Sequence, residues 1–260
     1  MKYITQSMVG MFLRCAAQFE RRYILGEVIP PGIAARRGSA THEAIRVNHL
    51  QKVHSGEDLP VNALQDAARD EYVKLVREEG VFIPKEDVGQ KTELLNEGLN
   101  AAISLTGLYH QEVAPAIKPA LVEERIEIDA GLPLIISCGI DCYTADKWLP
   151  DFKTADKSKN QADADNSLQL TFYAGAVADR IGEWPEKISL EVLVNNIKPK
   201  HQSLITKRGP QDWAQLMLRL QLIITQIYSG LFPPCDPSSW ACDEKWCGYA
   251  LTCKYYRKRK

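Results

Sequence analysis

The chain has 260 residues, 45% of them apolar and 25% charged, with a formal net charge of -1. That is the make-up of an ordered globular protein rather than a disordered tail or a fibre. Near-neutral charge neither requires nor excludes nucleic acid, because a phosphate-binding groove can concentrate cations while the remaining surface stays acidic. No apolar run reaches the roughly 20 residues of a membrane span, and the first residues lack the pattern of a secretory leader, so a cytoplasmic location is expected. Thiols stay reduced there, and seven cysteines, an odd number, read as metal ligands or buried thiols rather than paired disulfides.

In chain order, the pattern first predicts helices. Residues 7–22 carry Met8, Met11, Phe12 and Cys15 on one helical face. A Pro-Pro-Gly break at 30–32 precedes a helix over 37–52, and helices over 64–79 and 94–112 follow, separated by Gly80 and a polar stretch at 84–90. After Pro119 the pattern changes to strands. Residues 121–129 alternate, Gly131-Leu132-Pro133 forms a turn, 134–144 are rich in β-branched residues, and 148–153 make a third short strand. The close spacing predicts an antiparallel meander. A helix over 167–180, an apolar strand over 188–197 and a last helix over 211–228 complete the regular elements. The tail from Phe232 is irregular and holds four of the seven cysteines. Its end, Tyr255 to Lys260, is locally basic, as a solvated tail often is. The order implies an α/β core with a helical N-terminal elaboration: a helical region over 1–118, a core over 119–230 and a cysteine-rich tail over 231–260, as one integrated domain.

Chemistry concentrates on two of the strands. Gly139-Ile140-Asp141 sets one carboxylate on the second strand, and Asp151-Phe152-Lys153 sets a carboxylate and an amine on the third. Positions i and i+2 of a strand share a face, so Asp151 and Lys153 lie side by side. In a hairpin, Asp141 lies across from them. Two converging carboxylates repel unless a cation sits between them, and hard oxygen ligands favour Mg²⁺ or Mn²⁺. A lysine beside such an ion can position the attacking water or stabilise charge on a phosphate. Taken alone, an Asp-x-Lys on a strand is more often an exposed ion pair.

The flanking residues extend the pattern, and with them the sequence resembles the PD-(D/E)xK nuclease superfamily, in particular its RecB-like branch, over nearly the whole chain. Gly38-Ser39-Ala40-Thr41-His42 resembles the Gly-x-x-x-His helix motif, Asp141 the strand carboxylate, Asp151-Phe152-Lys153 the central Asp/Glu-x-Lys, and Gln169 to Tyr173 the Gln-x-x-x-Tyr helix. The resemblance implies a restriction-endonuclease-like core. It implies His42, Asp141, Asp151 and the main-chain carbonyl of Phe152 as metal ligands, with Lys153 catalytic. Gln169 and Tyr173, one helical turn apart, would contact DNA or support the lysine. Glu123 or Glu124 on the first strand is a further acidic candidate. His49, His54, His110 and His201 have no such company and are expected to be structural or solvent-facing.

The resemblance also bears on the cysteines. In one kind of RecB-like nuclease, one N-terminal and three C-terminal cysteines hold a [4Fe–4S] cluster, a role it would give to Cys15, Cys242, Cys247 and Cys253. Cys247 and Cys253 have the usual spacing; Cys242 and Cys247 do not, and Cys235 is an available substitute. Such a site would fasten the helical region to the tail. A zinc site and unligated buried thiols remain alternatives. Cys138 and Cys142, flanking Asp141, are expected to pack in the core.

Together these readings lead to a Mg²⁺- or Mn²⁺-dependent deoxyribonuclease, on the resemblance an exonuclease, acting on DNA and working with recombination, repair or replication proteins. No phosphate-loop motif of a motor occurs. Arg14, Arg21, Arg22, Arg36 and Arg37 are candidate phosphate contacts. A non-catalytic DNA-binding or scaffold subunit is the competing class, and the retention of every candidate catalytic residue argues against it. A thiol-redox protein is disfavoured because no Cys-x-x-Cys occurs.

Overall fold

The computed structural model describes residues 1–257, so Lys258, Arg259 and Lys260 of the basic run lie outside the described residues. The α/β expectation is borne out, with a sheet arrangement that differs from a simple meander. Strand β1 (Tyr3–Thr5) leads into helix α1 (Gln6–Arg14), whose first turn is capped by the Thr5 hydroxyl accepting from the Met8 amide. The helix expected over 7–22 is interrupted. Cys15 is extended, at φ -164° and ψ 104°, and separates α1 from the short α2 (Ala16–Phe19) and a wide turn at Glu20–Ile24. Its thiol sulfur accepts the Cys235 amide at 3.4 Å, so the break is tied to a contact with the tail.

Three long helices follow, α3 (Ile33–Ser55), α4 (Val61–Glu78) and α5 (Lys91–Glu112), each reaching past its expected bounds at the N-terminal end. They form a lobe around small residues, with Ala40, Ala44, Ala68 and Ala102 fully buried between them.

The strands β2 (Pro119–Ile128), β3 (Ile135–Thr144) and β4 (Trp148–Ala155) fall where expected. β2 and β3 pair antiparallel, but β4 does not continue the ladder. The reason is occupancy of the edge. β1 pairs parallel with β3 from Ile135 to Ser137, which makes β3 the centre of a β1-β3-β2 sheet. A tight turn with Lys147 at φ +61° then directs β4 into a second sheet. There β4 runs parallel to β5 (Lys187–Val194), which pairs antiparallel with β6 (Lys200–Thr206). Pro150 lacks an amide donor and sits on β4, the edge strand of that sheet, where its loss is tolerated. β1, β6 and a short helix α6 (Gln161–Asp165) have no counterpart in the sequence reading.

Helices α7 (Leu168–Ile181) and α8 (Pro210–Tyr228) cover the sheets. They approach closely because position 175 is glycine: a Cβ there would meet the Trp213 ring at 2.1 Å. The main core joins α1, α7, α8 and both sheets through residues such as Phe12, Ile140, Leu170, Phe172, Val192 and Leu220. A second cluster, containing Ile45, Leu105, Tyr109, Phe152 and Leu193, bolts the helical lobe to the second sheet. Phe152 is fully buried, with its ring 5.6 Å from that of His49 and 5.8 Å from that of Tyr109. Truncating it to alanine would cost about 3–5 kcal/mol.

Candidate active site

Strand alternation does most of the positioning. Phe152 points into the helical lobe, so Asp151 and Lys153 face the opposite way, and their ions meet at 2.9–3.0 Å. Asp151 is completely buried while Lys153 is partly exposed, so the carboxylate is fixed and the ammonium looks outward. Burial pushes the Asp151 carboxyl up, and the nearby Asp141 adds to that push, while Lys153 pulls against both. Asp151 Oδ1 accepts from Lys153, whereas Oδ2, though 2.9 Å from the same nitrogen, lies off the hydrogen-bonding direction and has no hydrogen-bond partner.

The helix α3 brings His42 to this place through its own glycine. A Cβ on Gly38, one turn earlier, would come within 3.3 Å of the Thr154 hydroxyl, so glycine lets the helix lie close to β4. His42 Nε2 then stands 2.8 Å from the carbonyl oxygen of Phe152, and Nδ1 stands 3.4 Å from Asp141 Oδ2. If Nε2–H donates to the carbonyl, the Nδ1 lone pair faces a carboxylate oxygen. That oxygen is buried and has no hydrogen-bond partner either. Two lone pairs turned toward each other are repulsive until a cation enters.

Asp141 sits on the first sheet and Asp151 on the second, so they converge where the sheets abut rather than across one hairpin. Tyr173, on α7, faces both: its hydroxyl is pushed up by burial first and by Asp141 and Asp151 after that. Gln169 Nε2 donates to the Tyr173 oxygen at 2.7 Å. Ser167 caps α7 by accepting the Leu170 amide at 3.3 Å and so fixes the turn that carries both residues. The structure thus brings together all six side chains singled out in the sequence, His42, Asp141, Asp151, Lys153, Gln169 and Tyr173.

It also selects Glu123 over Glu124. Glu124 is ion-paired with Arg180 at 2.8 Å, away from the cavity. Glu123 lines the cavity with His42, Asp141 and Lys153. The β2–β3 register pairs Val122 with Cys142 and Glu124 with Ile140, which puts Glu123 opposite Asp141. Its backbone is left-handed, φ 51°, a costly conformation for a residue with a Cβ. Burial and Asp141 both push the Glu123 carboxyl up. Like charges directly opposite on paired strands destabilise a sheet, and a cation removes that penalty. Arg46 is a cavity residue the sequence reading did not single out; it clasps Glu43 through two bonds of 2.7 Å. Its position one turn after His42 on the same helix face was the available signal.

The donor set fits a hard divalent cation: carboxylate oxygens without partners, one imidazole nitrogen and one main-chain carbonyl. The 3.4 Å between His42 Nδ1 and Asp141 Oδ2 is close to the roughly 3 Å that separates neighbouring ligands on magnesium. As positioned, no three His, Cys, Asp or Glu side chains among the described residues are close enough to chelate an ion by themselves. The carbonyl therefore matters to the fit.

The cysteines gather elsewhere. Cys15, Cys242, Cys247 and Cys253 line one pocket, and Cys235 lines it with them. Gln18 Nε2 donates to the Cys247 sulfur at 3.8 Å. Burial first, then the crowding of neighbouring thiols, pushes the Cys235 thiol up to about 12. Cys138 and Cys142 are buried in the core, as expected.

Of the candidate phosphate-binding arginines, two are structural. Arg36 is buried and donates to the Gly80 carbonyl and Glu79, and Arg37 is buried against Asp156. Arg21 pairs with Glu27, while Arg14 and Arg22 line a surface groove. His49 is buried against Tyr109, His110 bonds the Leu59 carbonyl, His201 pairs with Glu191 and His54 is exposed.

A buried Asp-x-Lys edge strand, a helix histidine set over its carbonyl and a second carboxylate from a neighbouring sheet define a nuclease of the PD-(D/E)XK type. The model of the PD-(D/E)XK nuclease superfamily matches residues 3–254, and the chain belongs to that superfamily. Among solved structures, one from Eubacterium rectale, described as a candidate exonuclease, is 9% identical, with a TM-score of 0.60 over 100% of this chain and 91% of its own. That likeness is one of fold. The protein SSO0001 is 15% identical over 82% of this chain and 96% of its own, at a TM-score of 0.39. No curated protein sequence matches the chain. Among the described residues, no helix is long and apolar enough to cross a membrane.

Proposed function

We propose that the protein is a Mg²⁺- or Mn²⁺-dependent deoxyribonuclease that trims DNA from its ends. The observation that carries the reading is the pair of buried carboxylate oxygens without hydrogen-bond partners: Asp141 Oδ2, which faces His42 Nδ1, and Asp151 Oδ2, which lies beside the Lys153 ammonium. Asp141, Asp151, His42 and the Phe152 oxygen would hold the ion, which supplies Lewis acidity and a water of lowered pKa. Lys153, anchored at Asp151 and open to the cavity, orients the attacking water and neutralises charge gathering on the phosphate. Gln169 holds the Tyr173 hydroxyl beside the two carboxylates. Arg46 and Lys153 supply cationic character at the cavity wall, where the phosphate arrives.

The exonuclease part, and a role beside recombination, repair or replication proteins, follow from the family resemblance. The same resemblance assigns an iron–sulfur cluster to the thiol pocket, with Cys15, Cys242, Cys247 and Cys253 as ligands. Such a cluster would act as a structural tie there, and zinc on the same thiolates is the alternative. Five thiols line one pocket, which is what favours a metal there, and as positioned no three of them are close enough to hold an ion together.

The test is digestion of end-labelled linear DNA with Mg²⁺ or Mn²⁺, comparing wild type with Asp151→Ala and Lys153→Ala. Metal-dependent shortening from one end, absent in both variants, is the expected result. DNA left intact by wild type with every metal and strand form would overturn the enzyme reading in favour of a binding subunit.

A further inference from the structure

A second concavity lies beside the active-site cavity and is chemically unlike it. It runs along α1, past the turn at Pro30–Gly32, to the tail at Trp246 and Tyr249, and it shares Ala35 of α3 with the active-site cavity. A strand leaving the groove at Ala35 therefore enters the cavity of His42 and Lys153.

The lining is selective. The chain carries 33 acidic and 32 basic residues, yet none of the groove's lining residues is Asp or Glu, while Arg14 and Arg22 are among them. Tyr23, Phe82 and Trp246 supply aromatic faces. Trp246 leaves 61% of its surface in water, a conspicuous exposure for an indole. Arg14 uses two of its nitrogens on one oxygen of Gln18, at 3.1 and 3.3 Å, which keeps the guanidinium at the groove with donors to spare. Cations interleaved with exposed rings suit a chain of phosphates and unstacked bases. A duplex keeps its bases stacked on each other and offers such rings nothing to stack on.

We propose that this groove guides a single DNA strand into the active site, Phe82 and Trp246 stacking on bases and Arg14 and Arg22 meeting phosphates. The proposal rests on the nuclease reading and adds its substrate class. Gln18 and Tyr249 line both this groove and the thiol pocket, so the two concavities share a wall.

The test is equilibrium binding of a fluorescent oligothymidylate and of a hairpin duplex to the full chain in EDTA, where cleavage is blocked. Wild type should prefer the single strand and show quenched tryptophan emission on binding. Phe82→Ala and Trp246→Ala should each weaken strand binding about tenfold, whereas Trp246→Phe, which keeps an aromatic face, should stay within about twofold. Arg14→Ala should flatten the dependence of log affinity on log salt by about 0.7. Equal affinity for duplex, or strand binding untouched by all of these variants at unchanged melting temperature, would overturn the groove. Cleavage of the same DNAs with Mn²⁺ separates the two ideas. Duplex cleaved without groove-dependent strand binding leaves the nuclease and removes the groove. Groove-dependent binding with no cleavage does the reverse.

Discussion

The carboxylate centre and the thiol pocket are held by opposite means. The carboxylate centre stands on regular elements: β3, β4, α3 and α7 each contribute side chains, and apolar residues such as Phe152 fix the backbone behind them. The thiol pocket has little regular structure around it. Between Phe232 and Tyr256 the chain forms only two three-residue helical turns, at Trp240–Cys242 and Ala250–Thr252. Secondary structure positions the first site before any ligand arrives; in the second, the thiols that would bind a ligand also join the tail to Cys15 and Gln18, alongside the contacts of Phe232 and Tyr249. Substitution should therefore harm the first site's chemistry and the second site's stability.

The largest expected effect tests the first half. Asp151→Ala and Lys153→Ala should each reduce DNA cleavage by about a thousandfold while retaining the circular-dichroism spectrum and most of the melting temperature. Activity above a tenth of wild type in either would break the distinction. For the second half, Cys253→Ser should lose iron or zinc by elemental analysis and melt lower by on the order of 5–10 °C. Cys138→Ser, in the core, should lose stability without changing metal content, and metal loss there would blur the two regions.

A third prediction concerns the bolt between lobe and sheet. Burial pushes the His49 ring down to about 4, with the nearby Lys52 ammonium assisting. The native ring therefore stays neutral while the unfolded one takes up a proton near its ordinary value. Stability from this group is complete above about pH 6.5 and declines as pH falls to about 4, by roughly 3 kcal/mol in all. Urea midpoints of wild type should fall through that window, and those of His49→Gln should be flatter. An identical decline in both would remove His49 as the cause.

The smallest effect should come from Gln169→Ala. It frees the Tyr173 hydroxyl without touching the carboxylates and should slow cleavage by about threefold to tenfold. A loss as deep as that of Lys153→Ala would make Gln169 part of the chemistry.

How much was legible follows the same division. Asp151 and Lys153 share a face by strand alternation, and Gln169 and Tyr173 by helical spacing, so local periodicity placed them correctly. The split into two sheets was not legible. It depends on β1 pairing with β3 across some 130 residues, through three residues too few to mark a strand. Glu123 could not be separated from Glu124 because a left-handed backbone at φ 51° has no sequence signal in a non-glycine residue. Arg36 and Arg37 looked like surface cations because their partners, Glu79, Gly80 and Asp156, lie on other elements.

The clasp at Cys15 carries a consequence for how the protein is made. The Cys15–Cys235 hydrogen bond and the neighbouring Gln18–Cys247 hydrogen bond span 220 and 229 positions along the chain. A ribosome working from the first residue exposes α1 long before the tail emerges, and contacts that distant close late. Met8, Val9 and Phe12 can find β3 and α7 earlier, but the loop end of α1 stays open until the last cysteines are synthesised. Messages cut short near position 230 would yield chains with Asp141 and Asp151 in place and without the tail's contacts to Cys15 and Gln18. Such chains should be cut around Cys15 sooner than the chain that carries the tail, because that stretch loses the contacts that cover it.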